Sequence, residues 1–192
     1  MTFPMRLSTP RLLLREPRAA DAAAAHAAWA ADPGVLRYLA LPPSDSLETT
    51  RARLAWDQAR WHKKSAWTWL LFQHAGRQVV GQIQLLPQRL DGPAHHLRLG
   101  YLLARAHWGQ GLMHEALAAL LPQVWAEPVV WRIDAVCDRA NPASSRLLDR
   151  LSFSREGLLH RHSLHPLAGA EPRDVWLHAQ VRDPLAESGV SP

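Results

Sequence analysis

Cysteine is almost absent from this chain, which has one such residue, Cys137, among 192. A single cysteine excludes an intramolecular disulfide and suits a reducing compartment. Long apolar runs are also missing. The stretch between Glu115 and Glu127 has eleven uncharged residues interrupted by Pro122, whereas a membrane-spanning helix needs about 20. The first residues hold no apolar signal core. We therefore expect a soluble, cytoplasmic protein with no membrane partner.

The chain also lacks any run of charge of one sign. Its formal net charge is +5, but the basic residues are scattered. This spacing argues against nucleic acid as a partner and leaves two readings, a solvated basic surface or a small polyanionic ligand. The apolar fraction of 47% is enough for a packed core. A length of 192 residues fits one domain.

Apolar patterning predicts one mixed α/β domain over residues 1–183 and a flexible tail over residues 184–192. Alternating or continuous apolar stretches indicate strands at 11–15, 67–72, 78–85, 95–103, 129–137, 153–162 and 173–181. Helical spacing indicates helices at 47–64, 112–125 and 142–151, and an Ala-rich helix that Asp21 caps. Residues 89–94 are expected to form a loop.

One segment combines an apolar strand, a glycine-bearing turn and an amphipathic helix. Gly109 and Gly111 lie in the turn, and the helix follows from Leu112. Such a turn directs backbone N–H groups and the positive end of the helix dipole at one point, which suits a phosphate. A Cβ at either glycine would keep an anion from approaching the backbone. We expect this anion site on the N–H groups of residues 108–113.

The same segment, GYLLARAHWGQGLMHEAL from Gly100 onward, resembles the acetyl-CoA pyrophosphate motif of the GNAT superfamily of N-acetyltransferases. The similarity is greatest to the branch that acetylates ribosomal-protein N-termini. TPRLLLR from Thr9 resembles the first strand of that branch, and VGQIQL from Val80 resembles its third. The block from Asn141 to Gly157 resembles its "N-x-x-S … L-G-F … E-G" pattern. Together these segments cover nearly the whole chain.

The resemblance implies the GNAT fold, a single mixed and mostly antiparallel sheet flanked by helices, with a splay between the strands at 97–103 and 129–137. It implies acetyl-CoA as cosubstrate, an amine acceptor, direct attack in a ternary complex and no metal. A homodimer is left open. The residues expected to contact acetyl-CoA are Tyr101, Leu102, Leu103, Arg105, Trp108, Gly109, Gln110, Gly111, Leu112, Met113, Asn141 and Ser144. Arg146 and Arg150 are further candidate phosphate partners.

Two departures from the family pattern concern charge at the site. The Arg or Gln that often stands three residues before the first glycine is Ala106 here, and the Glu that often precedes the "I-G-Y" strand is Arg98. The catalytic base is therefore open. His162 is our candidate, with His95 and His96 as alternatives, because imidazole titrates near neutral pH.

Asn141 and Pro142 suit the N-cap and first position of a helix. The helical period then places Ser144 at the end of the buried stripe. It is either a small residue that bonds to backbone or, as the resemblance implies, the donor of a proton to the leaving thiolate. Cys137 raises a rival mechanism through a cysteine thioester. Its alternation with apolar neighbours favours an inert core residue instead.

Histidines and tryptophans are the remaining candidates for a site. The run from His160 to His165 could suggest a metal, but no nearby Cys or Glu cluster completes a ligand set, so solvated histidines are favoured. Trp131 fits a core face. Trp29, Trp61 and Trp67 either pack in the core or line an acceptor groove.

Two functions stay open: a direct-transfer acetyltransferase, and a GNAT-fold module that binds acyl-CoA as a sensor or scaffold without turnover. Release of CoA thiol in the presence of an amine separates them.

Overall fold

A computed structural model describes residues 1–75, 78–88 and 95–183, and within them eight strands form one sheet. The strands are β1 Arg6–Ser8, β2 Leu12–Arg15, β3 Trp67–Gln73, β4 Val79–Pro87, β5 His96–Leu103, β6 Arg132–Asp138, β7 Ser154–Ser163 and β8 Arg173–Val181. Their order is β1-β2-β3-β4-β5-β6-β8-β7. The sheet is mixed and mostly antiparallel, as predicted, because β5 and β6 form its parallel pair.

The parallel pair separates along its length. Residues 96–98 of β5 pair with residues 132–134 of β6, and the paired register does not extend to the remaining residues of the two strands. A gap therefore opens between residues 99–103 and residues 135–138. This is the predicted splay, although β6 begins at Arg132 and not at Val129.

Helices cover both faces of the sheet. They are α1 Ala22–Ala25, which continues as a π-turn over His26–Ala30, α2 Pro33–Leu36, α3 Leu47–His62, α4 Leu112–Trp125 and α5 Pro142–Arg150. Successive side chains of a strand point to opposite faces. Leu97 and Leu99 of β5 share a cluster with the apolar stripes of α4 and α5. Leu102 instead shares a cluster with α1, α2 and Leu54 of α3.

Tryptophan accounts for much of this core. Trp29, Trp61 and Trp67 are buried, so the groove-lining alternative for them is wrong. Trp61 meets Trp69 edge to face, with ring centroids 4.7 Å apart. Trp131 is 48% exposed, against expectation. The backbone N–H of Trp131 donates to His95 O, and β6 begins only at the next residue. The alternation of buried and exposed side chains along β6 therefore does not include Trp131.

Caps explain where the short helices begin. Asp32 accepts from Gly34 N–H at 2.8 Å and so starts α2. The expected role of Asp21 is wrong, because its carboxylate makes no capping bond to α1. It accepts from Arg18 N–H at 2.9 Å and pairs with Arg15 at 2.6 Å, so it organises the preceding turn. Among the described residues no helix has the length and apolar character to cross a membrane. The predicted loop 89–94 and tail 184–192 lie outside the described residues.

Candidate active site

A cavity of about 490 Å³ lies where β5 and β6 separate. Residues 101–103 of β5 and 136–138 of β6 form its floor. The turn before α4 and the first residues of that helix close one end, and α5 forms a wall. Four residues in and just after α2 close the other side: Gly34, Val35, Tyr38 and Leu39. The splay, the glycine turn and α5 therefore meet at one cavity.

The edge of β5 faces this gap with its backbone. Gln88 N–H donates to His96 O at 3.0 Å, and Ala104 N–H donates to Val80 O at 2.8 Å. In an antiparallel ladder these bonds recur at every second residue. The N–H and C=O groups of Tyr101 and Leu103 therefore point away from β4, into the gap. Trp108 Nε1 donates to Leu103 O at 2.8 Å, which agrees with that direction.

The glycine turn has the backbone that an anion site requires. Gly109 and Gly111 both have a φ of 74°, a left-handed conformation that glycine adopts without strain. Gly111 is the N-cap of α4, and the Glu115 N–H donates to its carbonyl oxygen at 3.0 Å. The N–H groups of the first helical residues have no carbonyl acceptor within a helix, so they are directed outward from its N-terminus.

An ion pair holds the start of α4 against the segment just before β2. Glu115 Oε2 lies 2.6 Å from Arg11 Nε, and Glu115 Oε1 accepts from the Thr9 hydroxyl at 2.6 Å. Burial tends to raise the pKa of Glu115, but these donors hold it below its usual range. Arg11 Nη1 also donates to Gln110 O at 2.9 Å, which ties the turn itself to the same segment.

Ser144 and Tyr101 meet on the cavity wall. Their hydroxyl oxygens are 2.7 Å apart. Asn141 Oδ1 accepts from Ser144 N–H at 3.3 Å, so Asn141 caps α5 as predicted. Burial raises the pKa of the Tyr101 phenol, so it stays protonated and can donate to the Ser144 oxygen. The pair thus carries two hydroxyl protons at the point where β5 and α5 approach each other.

Cys137 is buried beside the start of α5. Its Sγ lies 3.3 Å from Asn141 O. Burial raises the pKa of the thiol, and so keeps it in the weakly nucleophilic protonated form. The structure therefore favours the inert interpretation of Cys137, although this residue lines the cavity.

The cavity collects most of the residues expected to contact acetyl-CoA. Those that line it are Tyr101, Leu102, Leu103, Trp108, Gly109, Gly111, Leu112, Met113, Asn141 and Ser144. Arg105 and Gln110 are not among its lining residues. Arg105 Nη2 lies 2.6 Å from Asp32 Oδ1, and Gln110 Nε2 donates to Ala106 O at 2.9 Å. Arg146 and Arg150, on α5, do line the cavity.

Two residues after α2 and two histidines line the cavity but were not predicted from the sequence. Tyr38 and Leu39 follow α2, and His107 and His114 flank the glycine turn. The histidines lie within the glycine-turn segment and its helix, so their position could have been noted from the sequence. Nothing local in the sequence indicates that α2 folds over the splay, because that contact is between distant segments.

None of the three candidate bases, His95, His96 and His162, is among the residues that line the cavity. His162 is exposed on β7, the edge strand, and its Nδ1 lies 2.9 Å from Ser163 Oγ. His96 Nε2 lies 2.8 Å from Asp134 Oδ2. Arg98, where the family often has Glu, makes a two-pronged pair with Asp134 at 2.9 Å. Within residues 1–75, 78–88 and 95–183, no group of three His, Cys, Asp or Glu residues is arranged to hold a metal.

Comparison with known proteins agrees with this geometry. Residues 11–154, more than half of the chain, match the family described as "Acetyltransferase (GNAT) domain". The chain belongs to the GNAT acetyltransferase family. It is therefore an enzyme that transfers acetyl groups, and its splayed sheet is the GNAT fold.

Individual relatives are distant. The chain is 28% identical over 160 residues to the uncharacterized N-acetyltransferase YoaA of Bacillus subtilis (strain 168), covering 83% of this chain and 88% of that protein. It is 33% identical over 97 residues, half of each chain, to the ribosomal protein uS5-alanine N-acetyltransferase of Escherichia coli (strain K12). The fold is similar to that of RimL, a ribosomal L7/L12 alpha-N-protein acetyltransferase in complex with coenzyme A. The TM-score is 0.79 at 21% identity, covering 93% of this chain and 97% of that one.

Proposed function

We propose that this enzyme acetylates a primary amine, on a protein N-terminus or a small molecule, by direct attack on acetyl-CoA in a ternary complex. The observation that carries the proposal is the Tyr101–Ser144 hydroxyl pair, which lines the same cavity as the glycine turn. The relative named a ribosomal protein uS5-alanine N-acetyltransferase, and the similar fold of RimL, named an alpha-N-protein acetyltransferase in complex with coenzyme A, support the same function. The one thiol of the chain, Cys137, is buried and unpaired, which fits a cytoplasmic reaction.

The cavity suits acetyl-CoA along its length. The pyrophosphate would bind the outward N–H groups at the start of α4, where the helix dipole favours an anion. Arg146 and Arg150 on the facing wall add positive charge. The amide-bearing pantetheine arm would pair with the exposed edge of β5 at Tyr101 and Leu103, as an added strand would.

The reaction needs one proton removed and one supplied. A neutral amine attacks the thioester carbonyl, a C–N bond forms, and a backbone N–H at the β5 edge stabilises the oxyanion. The nitrogen of the tetrahedral intermediate carries a positive charge and loses one proton to solvent. When the intermediate collapses, the C–S bond breaks and the thiolate takes the Ser144 hydroxyl proton. Tyr101 then donates its own proton to the Ser144 oxygen across 2.7 Å, and solvent restores the phenol.

An α-amine is the acceptor that this site suits best. Its pKa is about 7.7–8.0, against about 10.4 for lysine, so a useful fraction is neutral near pH 7 without a strong base. The ammonium form passes its proton to solvent or to a nearby imidazole before attack. His162, our predicted base, lies on β7 outside the cavity lining, whereas His114 lines the cavity and is the better placed imidazole.

A second function, a sensor that binds acyl-CoA without turnover, has one observation in its favour. The carboxylate that lines the cavity, Asp138, is tied to Arg173 and His165. Burial tends to raise the pKa of Asp138, but these partners hold it low, so it is a poor proton acceptor. Turnover distinguishes the two functions.

The test is thiol release from acetyl-CoA in the presence of peptides with a free N-terminus. Matched peptides whose N-terminus is blocked but whose lysine is free serve as controls. We expect release with the first set, at a rate that rises with pH through about 8 as the amine becomes neutral. Binding of acetyl-CoA with no release for any amine would support the sensor, and release with blocked peptides alone would contradict the choice of acceptor.

A further inference from the structure

The residue after Ser144 belongs to a second polar network on the other side of α5. Adjacent helical residues point about 100° apart, so their two hydroxyls reach different strands. The Ser144 hydroxyl meets Tyr101 of β5. Ser145 Oγ lies 3.2 Å from His178 Nε2 on β8 and accepts from Arg155 Nη2 of β7 at 3.1 Å.

The same histidine also approaches the next turn of the helix. His178 Nε2 lies 3.5 Å from Asp149 Oδ1, four residues after Ser145. Arg155 Nη2 lies 4.0 Å from Asp149 Oδ2, and its guanidinium is 4.7 Å from the Trp176 ring. We call Ser145, Asp149, Arg155 and His178 the His178 network. Its hydrogen bonds hold α5 at Ser145, from the strands on the side opposite Tyr101, and Asp149 is a longer-range, partly exposed neighbour one turn later.

The network is built around a fully buried imidazole. His178 is 0% exposed and Ser145 is 8% exposed. A buried polar group costs free energy unless it is hydrogen-bonded, and an apolar side chain would fill the same space without that requirement. Burial also lowers the pKa of His178, with Asp149 opposing that effect. A histidine at this position makes a directional hydrogen bond with Ser145 of α5, which an apolar side chain would not supply.

We propose that His178 is a positioning residue of the acetyl transfer reaction: through its hydrogen bond with Ser145 it fixes the rotation of α5 and thereby the place of the Ser144 hydroxyl. This rests on the proposed role of Ser144. A hydroxyl displaced by about 1 Å from its productive position can lose about 100-fold in rate. The apolar stripe of this nine-residue helix packs into the core without directional bonds, so polar contacts on two sides define its rotation more closely than the Tyr101 contact alone.

The kinetic test compares His178→Leu and Ser145→Ala with Val175→Ala. Val175 is as buried as His178 on the same strand but faces the opposite side of the sheet. We expect the first two variants to lower kcat about tenfold with an unchanged KM for acetyl-CoA, as for loss of one buried hydrogen bond. His178→Gln, which keeps a polar amide near the Nε2 position, recovers most of the rate. Val175→Ala keeps the wild-type kcat.

Combination with Ser144→Ala separates positioning from a general loss of structure. If His178 acts through Ser144, His178→Leu causes no further loss of kcat once Ser144 is alanine. A full additional tenfold loss in that background would overturn the proposal, and so would a wild-type kcat for both His178→Leu and Ser145→Ala. If His178→Leu does not fold, Ser145→Ala supplies the same comparison from the helix side.

A measurement that needs no turnover tests the positioning role of His178 independently of the proposed function. Cys137, the only thiol in the chain, packs against the first residue of the α5 cap, so its reaction with N-ethylmaleimide reports movement of that helix. We expect about tenfold faster reaction in His178→Leu and in Ser145→Ala, and a rate within about twofold of wild type in Val175→Ala. Unchanged thiol rates in both network variants would overturn the positioning role. Faster rates in a protein that acetylates no amine would support control of α5 and contradict the proposed function.

Discussion

Asp57 offers a stability prediction with a definite pH dependence. This carboxylate is 2% exposed on α3, against the sheet. Gln84 Nε2 donates to Asp57 Oδ1 at 3.0 Å and lies 3.1 Å from Thr68 Oγ1. Burial raises the pKa of Asp57 to about 6 from its ordinary 3.8, against the opposing influence of nearby arginines. The folded protein therefore favours the protonated carboxyl.

The sign follows from proton linkage. Below about pH 4 the carboxyl is protonated in both the folded and unfolded states, and its pKa shift stabilises the folded state fully. That stability is lost as pH rises through about 6, and the difference of about two pKa units corresponds to about 3 kcal/mol of unfolding free energy. Asp57→Asn resembles the protonated carboxyl and cannot ionise, so it avoids this loss.

We expect Asp57→Asn to be more stable than wild type at pH 8, by about 2–3 kcal/mol, and close to wild type at pH 4. Urea unfolding at several pH values measures the difference. Asp45→Asn is the control, because a hydrogen bond from Thr49 lowers the pKa of that exposed carboxyl and the sign is opposite. A difference between Asp57→Asn and wild type that does not change with pH would refute this reasoning.

Three further variants test the core, the phosphate turn and the mechanism. Phe3 is buried against Trp67 with ring centroids 4.7 Å apart, so Phe3→Ala should lower the free energy of urea unfolding by about 3–5 kcal/mol, and a loss below about 1 kcal/mol would contradict that packing. Gly109→Ala should weaken acetyl-CoA binding about tenfold by calorimetry, since it strains a left-handed residue on the cavity. Gly169→Ala, which strains a glycine outside the cavity lining, should keep wild-type affinity, and equal losses would contradict the turn as the phosphate site. Cys137→Ala should keep turnover within about twofold, because the raised pKa of the thiol makes it a poor nucleophile; a stoichiometric acetyl adduct on wild-type Cys137 by mass spectrometry would contradict direct transfer.

Local signals in the sequence were enough to predict much of the fold. The helix over residues 112–125 and the strand over residues 173–181 have the predicted bounds. The α5 cap by Asn141 and the left-handed glycines of the turn also follow from residue preferences that act within a few positions. The splay was predicted from the family resemblance, and the three-residue pairing of β5 and β6 confirms it.

The parts that could not be predicted depend on contacts between distant segments. Trp131 sits on the apolar alternation of β6 but precedes its first paired residue, so periodicity alone assigns it to the wrong environment. The pairing of Arg98 with Asp134 follows from the parallel register, which no local pattern specifies. The contact of Ser145 with His178 joins residues 33 positions apart. Because serine and histidine are polar, each considered alone would be assigned to the surface.

Ser144→Ala, assayed with acetyl-CoA and a peptide with a free N-terminus, tests the Tyr101–Ser144 pair most directly. If the Ser144 hydroxyl supplies the proton to the leaving thiolate, kcat falls about 10–100-fold while the affinity for acetyl-CoA is unchanged. Ser154→Ala, which removes an exposed hydroxyl at the start of β7 outside the cavity lining, serves as the control and keeps the wild-type rate. A wild-type kcat for Ser144→Ala would contradict the proposed chemistry and reduce Ser144 to a structural residue of α5.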